Sequence, residues 1–390
     1  MILFTHFLNK VTFLLILGLL FFPSLANSKE IKQENPVVNE ERIRIAVFPV
    51  ENLSGTVAPL KEIRQMFIEK LWAKGVDVLD EETLEKFMAK YRIRYTGGVT
   101  AEIAKGFKQD INVSGVLITS LELYSDANPP KISLISRLVS TGENPSILWM
   151  DGVGLAGDDS RGLFDLGLIE DPEVLLKKAV KIMFHSMGRY LAKRTDGRGD
   201  YSARKRYRPK ISYRSASFDP NRKYTVAIAP FFNYGLRKYA GDILVLHFAK
   251  ELKRFDHFDL IEMGVVRQAF LEMRIILDQG VSLSDADSIA GLLNADLILG
   301  GDVTDYEDYQ GVWGVPRVSF SAQLIEKKSR EVVWSSNSYN EGDEGVLFFD
   351  FGRVNTASAM VSQMARLIGR MILQDGRRVE RVKGSSGKVK

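Results

Sequence analysis

The chain repeats itself, and this constrains its fold more than any other feature. "RIAVFPVENLSG" (Arg44 to Gly55) and "TVAIAPFFNYG" (Thr225 to Gly235) share an apolar run that stops at a proline, with an asparagine three residues later. Placing Pro49 on Pro230 pairs Ala46 with Ala227 and Asn52 with Asn233. At a nearly constant offset, "VDVLD" then falls on "FDLIE", "VSGVLITSLELY" on "ADLILGGDVTDY", Trp149 opposite Trp334, and Met187-Gly188-Arg189 on Ile368-Gly369-Arg370. Each match is weak alone. In order and in register, they indicate a duplication, which has to be recognised before any element is assigned. A chain of 390 residues has room for two such units, each able to close its own core.

Within each copy the apolar periodicity sets the elements. Arg44 to Val50 and Thr225 to Phe231 are continuous apolar runs, as in strands covered on both faces. Ile63, Met66, Phe67 and Leu71, and in the second copy Ile243, Leu246, His247 and Leu252, recur at helical spacing. A strand ending at Asp80 or Glu262 follows, then a short helix and another that opens near Thr100 or Ser284, where Ser284 and Asp287 form a capping box. Three strands come next, at 115–124, 131–140 and 146–153 in one copy and 296–306, 317–326 and 331–339 in the other. "RVSFSAQLIE" alternates strictly, which predicts a half-exposed antiparallel strand. Pro172 suits the first turn of a closing helix that runs to Leu191, and 354–373 is its counterpart. The fold class expected is α/β: two tandem duplicated α/β sandwich domains with mixed sheets.

The ends and the connector differ in composition. Lys10, an apolar run from Val11 to Phe22, and Ser24-Leu25-Ala26 read as a signal peptide cleaved after Ala26; an uncleaved anchor is the rival reading. A polar leader occupies 27–42, the first domain 43–192, a basic flexible linker 193–223, the second domain 224–375 and a basic disordered tail 376–390. The net charge of +4 is unevenly spread: the linker holds eleven Lys/Arg and the tail six, while 27–192 and 224–375 carry about −3 and −7. There is no cysteine, which removes disulfides, thiolate catalysis, cysteine metal sites and lipidation on cysteine. With an export signal, this composition fits the periplasm or the periplasmic face of an envelope membrane.

Candidate sites are few. Asn52 and Asn233 end their strands either as backbone-bonding turns or as a partner or ligand site at a sheet's carboxyl end. Arg204, Lys205, Arg206, Arg208 and Lys210, interleaved with Tyr201, Tyr207 and Tyr213, could meet anionic lipid or lipopolysaccharide; export argues against nucleic acid. His185 and His247 lie in amphipathic helices where packing accounts for them, and no histidine pair has zinc spacing. Asp302, Asp305, Glu307 and Asp308 lack the ligand order of a calcium loop and read as a solvated hairpin. No nucleophile elbow is present. The residues thus point to no catalytic group, cofactor or metal.

"IAVFPVENLSG" at the start, "ADLILGGDVTDY" in the middle and a strand ending in "EVVWS" resemble the family that includes the amino-terminal domain of TolB, CsgG and the LpoB-like penicillin-binding-protein activators. The likeness spans about 43–191 and 224–373. This chain departs from the family in lacking a lipidated cysteine and a propeller, and in carrying two copies. The resemblance implies a non-enzymatic envelope protein that acts through contacts with other envelope proteins in assembly, secretion or polysaccharide export, and homo-oligomerisation stays open. The alternative is a periplasmic solute-binding protein with its ligand between two α/β lobes. A hydrolase is a third class, for which no residue set stands out.

Overall fold

Each copy turns its apolar runs into one mixed sheet. The structure, a computed structural model, describes residues 43–160, 167–192, 206–275, 282–309, 314–346 and 352–374. The signal peptide, leader and basic tail lie outside the described residues. All described residues belong to one compact unit, Arg42–Lys390.

The first copy runs β1 (Arg44–Val47), β2 (Glu51–Asn52), α1 (Leu60–Trp72), β3 (Asp77–Val78), α2 (Glu81–Lys90), α3 (Ala101–Ile111), β4 (Gly115–Ser125), β5 (Lys131–Ser140), β6 (Ile147–Ala156) and α4 (Pro172–Leu191). Its sheet order is β3-β1-β4-β5-β6, with β2 pairing onto β4; β1 is parallel to its neighbours, and β4, β5 and β6 are antiparallel. After β7 (Ile211–Arg214), the second copy repeats this: β8 (Tyr224–Ile228), β9 (Phe232–Asn233), α5 (Ala240–Leu252), β10 (Phe258–Leu260), α6 (Met263–Glu272), α7 (Leu283–Leu293), β11 (Leu297–Glu307), β12 (Arg317–Glu326), β13 (Glu331–Glu341) and α8 (Ala357–Leu373). The order is β10-β8-β11-β12-β13-β7, with β9 on β11.

Local chemistry sets the helix ends, often identically in the two copies. Asp80, Thr100, Asp171, Ser282 and Thr356 each accept a hydrogen bond from a first-turn backbone N–H. Asn112 and Asn294, at equivalent positions, end α3 and α7 in the left-handed conformation, with φ of 46° and 50°. The capping pair expected at Ser284 and Asp287 lies one half-turn earlier: Ser282 accepts from the Asp285 N–H. Either serine satisfies the sequence pattern, and the helix starts at the one that ends the extended segment.

Packing breaks the symmetry. In the first copy α1 and α4 cover one sheet face through Phe67, Leu71, Val180 and Met183 against Ile45, Leu117 and Leu134. α2 and α3 cover the parallel part of the opposite face through Leu84, Phe87 and Phe107. The antiparallel part of that face is covered by the second copy: Ile135 and Ile147 join the core formed by α5 and α8 on Leu299, Val303, Phe320 and Leu324. The α5/α8 pair therefore lies between two sheets. Every residue of α5 except Asp242 is buried, whereas the equivalent α1 buries only Ile63, Phe67, Ile68 and Leu71. This is why α5 is apolar around most of its circumference while α1 is amphipathic. On β6, a Cβ added to Gly154 would lie 2.7 Å from Thr356 Oγ1 and 3.2 Å from the Ala359 N, so glycine lets the start of α8 approach the strand.

The linker needs correcting. From residue 206 onward it packs: Tyr207 is buried with its hydroxyl donating to the Gly342 carbonyl at 3.0 Å, Phe218 stacks on Tyr224, and Ile211–Arg214 pairs antiparallel with β13. A strand at a sheet edge is held by backbone hydrogen bonds, so scarcity of aliphatic residues does not exclude one.

The shared layer predicts cooperative unfolding. Urea denaturation followed by far-ultraviolet circular dichroism and by tryptophan fluorescence should give one coincident transition; two separated transitions would show that the copies fold independently. Gly154→Val should destabilise the chain by about 1–3 kcal/mol through displacement of α8.

Candidate functional site at the junction of the two copies

The two asparagine turns meet here. Asn52 Oδ1 accepts from the Ser54 N–H at 3.0 Å and the Ser54 hydroxyl at 2.6 Å, and its Nδ2 donates to the Thr56 carbonyl at 2.8 Å. Asn233 does the same, accepting from the Gly235 N–H at 3.0 Å and donating to the Arg237 carbonyl at 2.8 Å. Both amides are spent on their own turns. Arg237, thus oriented, reaches into the first copy and donates to the Ser54 and Glu122 carbonyls, each at 2.5 Å.

Behind the turns lies a buried ion pair that spans the copies. Arg137 on β5 and Glu262 at the start of α6 are 1% and 0% exposed and 2.9 Å apart. Arg137 also donates to the Gly97 carbonyl at 2.6 Å. The backbones touch beside it: a Cβ on Gly264 would lie 2.3 Å from the Val99 N.

A second buried polar cluster joins β4 and β5 to α5 and α8. Glu122 Oε2 accepts from Ser133 and Ser358 at 2.7 Å each and lies 3.1 Å from His247 Nε2. His247 Nδ1 is 2.8 Å from the Ser362 hydroxyl, which accepts from Lys250 at 2.6 Å. Glu251, next along α5, is ringed by Lys250, Arg254 and Arg366. Burial pushes the Glu251 carboxyl up, but Lys250, Arg366 and Arg254 outweigh it and hold the group at about 2. Burial also works against the Glu122 carboxylate, and His247 with the two serines brings it below its ordinary value.

Serine, histidine and carboxylate together invite comparison with a hydrolytic triad. In a triad the serine and the acid use opposite ring nitrogens. Ser362 and Glu122 do lie on opposite ring nitrogens of His247, but the Ser362 hydroxyl is held by Lys250, Glu122 is also bound by Ser133 and Ser358, and all of these residues are buried. Burial of every member makes the group a structural network.

A cleft of about 40 Å³ opens at the same junction, lined by Glu51, Tyr95, Asp242, Met263 and Arg267 among others. This is room for a few waters, far below the ~300–1,000 Å³ of ligand pockets. Glu51, the first-copy counterpart of Phe232, accepts from Ser120 at 2.6 Å, and burial lifts its carboxyl above the ordinary value. Arg267 stacks over Tyr95 at 4.4 Å.

The remaining sequence candidates do not converge. Arg204 and Lys205 lie outside the described residues. Arg206 donates to the Gly342 and Gly352 carbonyls and lies over the Tyr207 ring, Lys210 pairs with Glu344 at 3.2 Å, and Arg208 is exposed. Among the acids read as a solvated hairpin, Asp308 is instead half-buried and accepts from the Ala357 N–H at 2.8 Å, capping α8 across the chain; desolvation raises its carboxyl. Among the described residues no group of three or more potential ligands could hold a metal ion. His185 is exposed rather than packed, and His247 is held by hydrogen bonds as well as by packing.

No protein-family model and no curated protein matches the chain. Solved structures do. A PelC dodecamer from Paraburkholderia phytofirmans is 19% identical and covers 40% of this chain and 91% of its own, with a TM-score of 0.29. Lipoprotein GNA1162 from Neisseria meningitidis is 18% identical, covering 37% of this chain and 99% of its own, with a TM-score of 0.27. The LpoB carboxyl-terminal domain from Escherichia coli is 17% identical, covering 30% and 82%, with a TM-score of 0.22.

Two tests follow from the junction. Arg137→Leu should destabilise by about 3–5 kcal/mol by leaving Glu262 buried and unpaired, and adding Glu262→Leu should recover part of the loss in a urea double-mutant cycle. Glu251, lower in the folded state than in the unfolded one, contributes stability at neutral pH that is lost as pH falls from its unfolded value, about 4.3, towards about 2. Glu251→Gln should lower the urea midpoint at pH 7 and flatten its fall across that acid window.

Proposed function

We propose that this protein is a non-enzymatic envelope accessory that works by presenting protein-binding faces from a fused pair of α/β units, in the periplasm or at the periplasmic face of an envelope membrane. The observation that carries this reading is the closed junction. Two lobes that trapped a solute would need a cleft that opens between them, and here that space is filled by the Arg137–Glu262 pair, the Glu122–His247 cluster and the apolar contacts of α5 and α8. The cleft that described residues line there is about 40 Å³, too small for a solute of ordinary size. The same argument disfavours a hydrolase, since the one serine–histidine–carboxylate grouping described is sealed. What the fold offers the outside is broad surface on a stiff body, which suits a scaffold. The amino-terminal segment read as a signal peptide supports assigning that scaffold to the envelope.

Crosslinking of the purified chain to envelope fractions, followed by mass spectrometry, should give discrete protein adducts. A panel of sugars, amino acids and inorganic ions should leave its melting temperature unchanged. A saturable rise in melting temperature with one solute, without protein adducts, would overturn the reading in favour of a solute receptor.

A further inference from the structure

The junction inside the chain joins unlike surfaces: the antiparallel sheet face of the first copy and the α5/α8 face of the second. A contact of that kind is heterologous, and every heterologous contact in a duplicated protein leaves one surface of each kind unused. Here the unused surfaces are the outer face of α1 and α4 in the first copy and the outer face of β11, β12 and β13 in the second. On the sheet face α6 and α7 cover the end that carries Ile298, Ile325 and Val332; no described element covers the rest of it, or the helix face.

We propose that these two faces meet between chains, so that the protein associates head to tail with further copies of itself. The inference deepens the scaffold reading by naming one partner, a second copy of this chain. Charge supports it. The helix face presents Lys61, Lys70, Lys177 and Lys181 against Glu62, Glu69 and Glu173, the last paired with Lys177 at 2.6 Å, with Trp72 and Ile182 exposed among them at 56% and 43%. The sheet face presents Asp302, Thr304, Glu307, Ser319, Tyr339 and Glu341, all at least partly exposed, with Arg317 between Glu307 and Glu341 at 3.9 and 3.2 Å. On balance the first face is basic and the second acidic, and each is equivalent to a face already engaged inside the chain, so they are complementary in net sign and in position.

The contact between chains cannot copy the internal one atom for atom. Inside, Ser358 and Ser362 approach a strand carrying Gly152 and Gly154; at the ends the equivalent positions are Lys177 and Lys181, opposite Asn337 and Tyr339. The interchain contact is therefore wider, wetter and held by charge, which makes it reversible and sensitive to salt.

Sedimentation velocity on the purified full chain tests this without any other protein, so its failure would leave the search for envelope partners untouched. At about 50 mM salt the chain should form species larger than a dimer as concentration rises, and about 500 mM salt should weaken association about tenfold or more. K177E/K181E on the helix face should abolish assembly, T304K/E307K on the sheet face should also abolish it, and a chain carrying all four substitutions should regain it. Circular dichroism of each variant controls for folding. A wild-type chain that stays monomeric at low salt, whether or not its own basic tail covers the acidic face, overturns the proposal. So does association that either reversal leaves intact, or that the combined variant fails to restore.

Discussion

The structure depends on one helix pair serving two sheets. α5 and α8 present apolar side chains to their own sheet and a mixed apolar and polar surface to the other copy, so the second copy's helix layer completes the first copy's fold. The polar side of that layer is where the buried charges lie. Glu122, His247, Lys250 and Glu251 would be costly in an apolar interior, and each is held by an opposite charge or a hydroxyl contributed across the junction or along the helices. Such groups fix relative position better than oily contacts do, because a small slide leaves a charge without its partner. The arrangement trades some stability for a single docking geometry.

Backbone and turn chemistry carry the same message on a smaller scale. Asn52 and Asn233 shape equivalent turns, yet only the second turn ends in an arginine, and Arg237 uses the geometry to reach the carbonyls of the first copy. Gly98, Gly152, Gly154 and Gly264 bring backbones together where side chains would hold them apart. A duplicated element has thus been given different work in each copy by changes at a few positions.

Much of the fold was legible in the sequence because it rests on local signals. The duplication, the mixed sheets, the alternation in "RVSFSAQLIE", the closing helix at Pro172 and the turns at Asn52 and Asn233 all follow from periodicity and from residues with strong backbone preferences. The junction was not legible, because its partners are distant in the chain. Arg137 meets Glu262, and Glu122 meets His247, with no spacing rule connecting them. One signal was available: α5 reads "AGDILVLHFAKEL", apolar nearly all round yet with a histidine and a Lys-Glu pair, which on a surface helix has no explanation. The strand Ile211–Arg214 was missed because an edge strand among arginines and serines lacks the apolar pattern by which strands are recognised.

The burial of α5 also bears on how the two copies can change over time. Its counterpart α1 has one face that no described element of its own chain covers, so substitutions there disturb no packing within the chain. α5 has almost none, so any change along it must suit two sheets at once. The copies have therefore ceased to be interchangeable: a chain with their order reversed would place an amphipathic helix inside and an apolar one at the surface. What began as repetition has become a fixed sequence of unlike parts, and divergence should be expected to gather in the first copy's helices.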